Sequence, residues 1–332
     1  MGAAGLRRIK EEFVGRYVIQ RLMLAGVTLV MVSVLVFSLI RVVVPFFYAD
    51  AVDIVAGEYG RTDEARADAL RDEYGLSGNL IGQYFKWAAN VLTGDLGESL
   101  FNGRSISGEI RDRVVVSFEL GLVGLVSGLL FSVPMGIAAA VCQDRWPDYI
   151  LRTLAILINA LPGFWLAILI LTFGSLWFNW APPLKFKYLW EDPVQHVKIM
   201  ALPALLIGLT PSAGIVRIVR TQMLEVMRQD YIRTAQAKGL NGRAVIFGHA
   251  MRNSLIPVVT VVGLSLPNLI AGTAIFEAIF VLPGMGQYLV SSVGNLDYPV
   301  IMSTNLIFAV LIVTANLLVD LSYPLLDPRI RY

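Results

Sequence analysis

Six runs of mainly apolar residues, each near the length that crosses a bilayer, constrain this chain more than any other feature. They are Leu22 to Val44, Ser117 to Val141, Ile150 to Leu176, Val197 to Ile215, Leu255 to Val281 and Val300 to Tyr323. A spanning helix needs about 20 such residues, because each advances the chain about 1.5 Å through a hydrocarbon core of about 30 Å. Only 16% of the 332 residues are charged and the mean hydropathy is +0.66. Soluble domains carry about 25% charged residues, so this composition argues against a cytosolic enzyme. The first run is longer than the apolar core of a secretory signal and has no small-residue cleavage pattern before Arg41, so it reads as a retained span.

Basic residues orient the runs, since Lys and Arg near short loops stay on the cytoplasmic side during insertion. Arg7, Arg8, Lys10, Arg16 and Arg21 precede the first run, Arg145 and Arg152 lie between the second and third, and Arg329 and Arg331 follow the last. Between the fourth and fifth stand Arg217, Arg220, Arg228, Arg233, Lys238, Arg243 and Arg252, whereas Leu282 to Pro299 has no basic residue. The expected fold is therefore an all-α polytopic membrane protein with six transmembrane helices, a long outer loop after the first, a helical cytoplasmic loop between the fourth and fifth, and both termini cytoplasmic. The corresponding divisions are a cytoplasmic amino-terminal segment (1–21), the first helix (22–44), an outer helical loop (45–116), a transmembrane core (117–323) containing the loop 217–254, and a cytoplasmic tail (324–332).

In the outer loop, Thr62 can cap a helix that ends before Gly75, and a second helical pattern runs from Asn79 to Leu92 before Gly94. A cap packed over the spans and a docking or gating module both fit this segment. Trp177 to Lys198, with Trp177, Trp180 and Trp190 suited to the membrane boundary, is expected to form an interfacial hairpin. One cysteine, Cys142, cannot make an intrachain disulfide, and no Cys/His cluster suggests a metal site. A net charge of +2 is too small and dispersed for a nucleic-acid partner.

From Arg217 to Pro257 the chain becomes basic and reads as two helices broken at Gly239-Leu240-Asn241-Gly242. Gly239 can take the positive φ that ends a helix, and Asn241-Gly242 favours a tight turn. This makes a protruding elbow. On its first arm the small residues Thr234, Ala235 and Ala237 permit close approach by another protein, and Lys238 and Arg243 charge the rim. On its second arm Val245, Ile246, Phe247, Met251 and Leu255 form an apolar stripe expected to pack back on the bundle. Composition alone also fits a loop that only sets topology.

The sequence from Tyr231 through Thr234, Ala235, Ala237, Lys238, Gly239 and Leu240, followed by His249, Arg252, Asn253 and Pro257, resembles the coupling motif of bacterial ABC importer permeases, most closely in the dipeptide and oligopeptide branch. The general motif has an acidic residue and two alanines where this chain has Arg233, Thr234 and Ala235, so partner contacts do not transfer from relatives that keep the acid. Further similarity lies in Tyr17 to Arg41, Tyr74 to Leu100 with Gly94-Asp95-Leu96-Gly97, Leu161-Pro162, Glu277 to Gly286, Asp297-Tyr298-Pro299 and Leu326 to Tyr332. The resemblance implies half of a transmembrane pore for di- or oligopeptides that works with a second homologous permease, two ABC ATPase subunits and an extracytoplasmic substrate-binding protein, surrounded by membrane lipid. It implies no cofactor bound by this chain, with ATP and magnesium held by the ATPases, whose movement the elbow from Ala235 to Gly242 receives. The chain itself has no G-x-x-x-x-G-K-[ST] phosphate loop. The same branch includes relatives associated with nickel or other small solutes.

Ionisable residues in spans are costly and often functional. Glu119 and Glu277 are expected near outer ends, reaching water or Arg111 or Arg113, and Asp320 near an inner end. Prolines at 134, 162, 203, 211, 257 and 267 interrupt helices, and Gly124 and Gly128 form a G-x-x-x-G pair suited to close helix contact. Pro162, Asn268 and Glu277 are the candidates for the translocation path. An ion-coupled secondary transporter would place charged groups near midplane, and an intramembrane hydrolase would need a nucleophile with a base. Neither pattern is found: the two histidines, His196 and His249, lie outside the apolar runs, and Gly263 to Pro267 departs from G-x-S-x-G.

Overall fold

The computed structural model describes residues 3–43, 78–183 and 185–326, with side chains from residue 15 onward except at 256, 266, 268–270 and 322–326. The helix expected after Thr62 and the residues after Leu326 lie outside the described residues, as does the side chain of Asn268. Twelve helices make up the described chain. These are α1 (Ala3–Ser38, continued by a π-helical turn Leu39–Val43), α2 (Leu80–Leu92), α3 (Ile106–Val141) and α4 (Trp146–Ala160). They are followed by α5 (Gly163–Phe178), α6 (Pro193–Leu209), α7 (Ser212–Met227) and α8 (Asp230–Ala237). Last come α9 (Gly242–Ser254), α10 (Ile256–Phe280), α11 (Met285–Gly294) and α12 (Tyr298–Leu326).

Three helices among the described residues are long and apolar enough to cross a membrane alone, lying in α1, α3 and α12. Four more crossings arise if each bent pair is one span, so the structure allows three to seven. The bends have local causes. Pro162 cannot donate the backbone hydrogen bond a continuous helix would need, and α4 and α5 meet there at 87°. Thr210-Pro211 breaks α6 from α7 at 56°. Consequently Arg217, expected at the start of a loop, lies within helix α7. The segment between α5 and α6 is irregular, with no strand among its described residues; its feature is a stack of Tyr188 on Trp190, with ring centroids 4.6 Å apart.

The chain divides into two compact units. One comprises residues 1–116 and 284–332. Within it α1 packs along α12, and Arg21 meets Asp320 at 2.8 Å. The carboxylate of Asp297, just ahead of α12, accepts hydrogen bonds from Ser99 Oγ (2.5 Å) and the Leu100 N–H (3.2 Å), while Ser303 Oγ donates to the Leu96 carbonyl. These bonds seat the segment after Gly94-Asp95 on the start of α12.

The second unit comprises residues 117–283. Here α6 packs against α5 and α10, and α7 against α4, α9 and α10. The Gly124–Gly128 pair makes the close approach expected of it. Ser127 Oγ, on the same α3 surface, donates to the Ala204 carbonyl of α6 at 3.1 Å, and a Cβ on Gly128 would sit 2.6 Å from the Gly208 carbonyl oxygen. Such an approach exposes both backbones to each other's dispersion attraction, the main source of helix association in lipid. Gly128→Ala is expected to destabilise the fold by about 1–3 kcal/mol through overpacking. Thermal unfolding of the variant in detergent checks this, and an unchanged midpoint would place the α3–α6 contact elsewhere.

Two intramembrane expectations are corrected. Glu119 engages neither Arg111 nor Arg113: His196 Nε2 lies 2.8 Å from its carboxylate, and Arg113 is held by Glu109 at 2.7 Å. Nδ1 of the same histidine bonds the Lys187 carbonyl at 2.8 Å, fastening the loop before α6. Glu277 does not reach water, being fully buried near the end of α10. For Glu119, whose side chain is still 25% exposed, the histidine is a tertiary partner added to its contact with solvent.

Candidate functional site: a basic helical elbow

Helix α8 starts just after Gln229 and ends through a Schellman arrangement. The Gly239 N–H bonds the Gln236 carbonyl at 2.9 Å and the Leu240 N–H reaches the Ala235 carbonyl at 3.4 Å, with Gly239 at φ +81°. Glycine has no Cβ to oppose this left-handed conformation, so Gly239 closes the helix as expected. Asn241-Gly242 does not form the expected tight turn. Asn241 takes an extended conformation and its Oδ1 accepts the Ala244 N–H at 2.8 Å, making it the N-cap of α9.

The elbow thus has three helical parts, α7, α8 and α9, where two were expected. Its inner face is apolar and closed. Ile232 and Ala235 from α8 and Val245 and Ala250 from α9 bury themselves with Val219 and Met223 of α7 and Val258 of α10. Ala235 is 8% exposed, so its small side chain permits close packing within the chain and is not offered to a partner. Residues Val245–Ala250 form a π-helical turn. In a π turn hydrogen bonds run from i to i+5, which brings residues five apart onto one face. Val245 and Ala250 can therefore both turn inward. Phe247, expected in the buried stripe, is turned out and 58% exposed.

The outer face presents Tyr231, Thr234, Ala237, Lys238, Gly239, Leu240, Gly242, Arg243, His249, Arg252 and Asn253, all exposed. The Asn253 amide donates to the Tyr231 hydroxyl at 2.8 Å, tying the second arm to the first. Pro257 stands in the first turn of α10, where its missing N–H costs no helix bond. From Arg228 to Arg252 there are five basic residues and one acidic residue, Asp230. A partner for this face should bring negative charge and an apolar spot for Leu240, which is 41% exposed.

Sequence reading missed the residue that anchors the elbow. Asp148, in the first turn of α4 ahead of the apolar run at Ile150, is fully buried. Its carboxylate accepts a bidentate pair from Arg220 on α7, at 2.9 Å from Nε and 2.7 Å from Nη2, and a hydrogen bond from the Asp144 N–H at 3.0 Å. Arg152 adds an ion pair at 3.1 Å. The Arg220 hydrogen bonds foremost hold the Asp148 carboxyl below its usual range, against the opposing effect of burial. Its i,i+4 spacing to Arg152 was readable locally; the Arg220 bond, 72 residues away, was not.

Of the path candidates, Pro162 stands at the sharp α4–α5 bend, Glu277 is buried in α10, and Asn268 follows the buried Pro267 in the same helix. No group of three or more His, Cys, Asp or Glu residues that could hold a metal occurs among the described residues.

Residues 132–332 match the family described as binding-protein-dependent transport system inner membrane component. The chain is 35% identical over 319 residues to the dipeptide transport system permease protein DppB of Bacillus subtilis, covering 95% of this chain and 98% of that protein. It is also 35% identical over 316 residues to the glutathione transport system permease protein GsiC of Salmonella paratyphi A, covering 95% and 99%. Among solved structures, the MetNI methionine ABC transporter in inward-facing conformations shares the fold at a TM-score of 0.51 and 16% identity, over 66% of this chain and 96% of that one.

Proposed function

Because the chain belongs to the family of binding-protein-dependent transport system inner membrane components, we propose that it is the pore-forming permease subunit of an ATP-driven importer of di- and oligopeptides. The relatives named for dipeptide and glutathione transport support peptide cargo over nickel, glutathione being itself a tripeptide. In this reading the chain crosses the membrane six times with both termini and the elbow cytoplasmic. A second homologous permease completes the pore, two ATPases bind ATP and magnesium, and an extracytoplasmic protein delivers the peptide.

The observation that carries the coupling role is the two-faced elbow, basic and exposed outside and buried inside. A motor performs work on a pore only through a contact whose free energy differs between pore states. The inner face joins α8 and α9 to both α7 and α10 through a close-packed cluster. Close packing transmits displacement instead of absorbing it, so a push on the tip moves those two helices together. Tyr231, Thr234, Ala237, Lys238, Leu240 and Arg243 face the ATPase, with Gly239 and Gly242 shaping the tip. Ala235 and the Tyr231–Asn253 hydrogen bond hold it rigid, and His249, Arg252 and Pro257 complete the second arm. Pro162, Asn268 and Glu277 are assigned to the peptide path.

Reconstitution of the complex that co-purifies with the full chain tests this reading. Peptide uptake into proteoliposomes should require ATP and the ATPases. Uptake by the chain alone, or uptake driven by an ion gradient without ATP, would overturn it.

A further inference from the structure

A cavity of about 650 Å³ opens between α4 and α7 inside the second unit. Three guanidinium groups line it, those of Arg152, Arg217 and Arg220, and no carboxylate does. Asp148 is shared between Arg152 and Arg220, and Asp144 acts on Arg220 from farther away. Arg217 is exposed and has no ion pair among the described residues. The local balance is thus three cations against two anions, with one cation uncommitted.

The lining is graded. Arg152 and Arg220 are tied through Asp148 at one end, whereas Ile156 and Ala160 lie farther along α4 and Ala213 near the start of α7. Beside them α4 leaves Ile156 and Leu157 exposed at 67% and 56%, an apolar surface suited to hydrocarbon. The space corresponds to roughly twenty water molecules at ~30 Å³ each, well beyond one small inorganic anion. An occupant should therefore carry an anionic oxygen group and an apolar chain.

We propose that this cavity binds the headgroup of an acidic phospholipid, with the phosphodiester at Arg217 and its neighbours and the acyl chains along the exposed apolar face of α4. Planar guanidinium forks match phosphate oxygens, and basic pockets between transmembrane helices suit acidic headgroups. A transported peptide fits the site less well, because a path residue must release its cargo and clustered arginines would retain its carboxylate. The inference rests on the cavity and its charges and does not depend on the peptide reading.

The test is native mass spectrometry of the full chain, with the subunits that co-purify, extracted from nanodiscs of equal phosphatidylglycerol and phosphatidylethanolamine. Phosphatidylglycerol should be retained preferentially, and Arg217→Gln should lower that retention about five-fold, the worth of one basic residue at an anionic surface. Arg217 takes no part in the Asp148 anchor, so this variant should fold, and Arg217→Lys should keep most of the retention. Arg228→Gln, an exposed basic residue that does not line the cavity, should leave it unchanged. Equal retention of both lipids, or equal loss in Arg228→Gln, would overturn the proposal. Displacement of the lipid by inorganic phosphate would reassign the cavity to soluble anions, and displacement by a dipeptide would reassign it to the transport path.

Discussion

Asp148→Ala is expected to lower the stability of the folded chain by about 3 kcal/mol, toward the lower end of the ~3–5 kcal/mol seen when a buried ion pair loses one partner. The substitution leaves Arg220, whose side chain is only 17% exposed, without its hydrogen-bonded counter-ion and with only the more distant Asp144. Arg152 is 40% exposed and recovers much of its loss from water, which is why the lower end applies. Denaturant unfolding in mixed micelles measures the change. Replacing both partners, as in Asp148→Leu with Arg220→Met, should cost less than Asp148→Ala alone, because no charge is left stranded. A cost below about 1 kcal/mol for Asp148→Ala would mean the pair is solvated and does not anchor α7 to α4.

The same pair gives a pH dependence of definite sign. The Asp148 carboxyl is held below its ordinary value of 3.8, so its contribution is present above that value and is lost as pH falls through the lower folded-state value. Acidification should therefore weaken the wild type more than the double variant, which has no carboxylate to protonate.

At the elbow, Leu240→Asp is expected to reduce ATP-dependent uptake by about 5–30-fold, the range of one to two kcal/mol that a central apolar contact carries at an interface. Leu240 is exposed and makes no part of the buried cluster, so the fold should be unaffected. Gly239→Val should act differently. Nothing lies within 4 Å of a Cβ there, so no clash arises. The strain comes from φ +81°, which costs an L-residue roughly 1–2 kcal/mol and is relieved by redirecting the tip. ATP hydrolysis should then continue while uptake falls, the signature of uncoupling. Measuring both rates in proteoliposomes separates the two variants, and wild-type uptake by Leu240→Asp would remove the tip from the ATPase contact.

Much of the helical framework was legible because its determinants are local. The run Leu255 to Val281 became α10 at Ile256–Phe280, and the pattern from Asn79 became α2 with Asn79 as its cap, its Oδ1 accepting the Gly82 N–H at 2.6 Å. Gly239 ended α8 by the conformation glycine permits. Other local signals were ambiguous. Asn241-Gly242 suits a hairpin turn or a helix start, and the neighbouring residues of α9 chose the latter. The Phe247 position failed because a 3.6-residue period was assumed where a π turn intervenes.

The sequence by itself determined that the chain belongs in a bilayer and that its basic residues collect on one elbow, while of its span prolines Pro162 and Pro211 stand at helix breaks and Pro134, Pro203 and Pro267 lie inside continuous helices. Apolar run length, backbone chemistry and charge count act over neighbouring residues and need no fold to be read. Only the tertiary structure decided which face of the elbow is buried, that Glu119 pairs with His196, and that Asp148 holds Arg220. Those pairs lie 77 and 72 residues apart, and a buried charge finds its partner through helix packing, which no local pattern specifies.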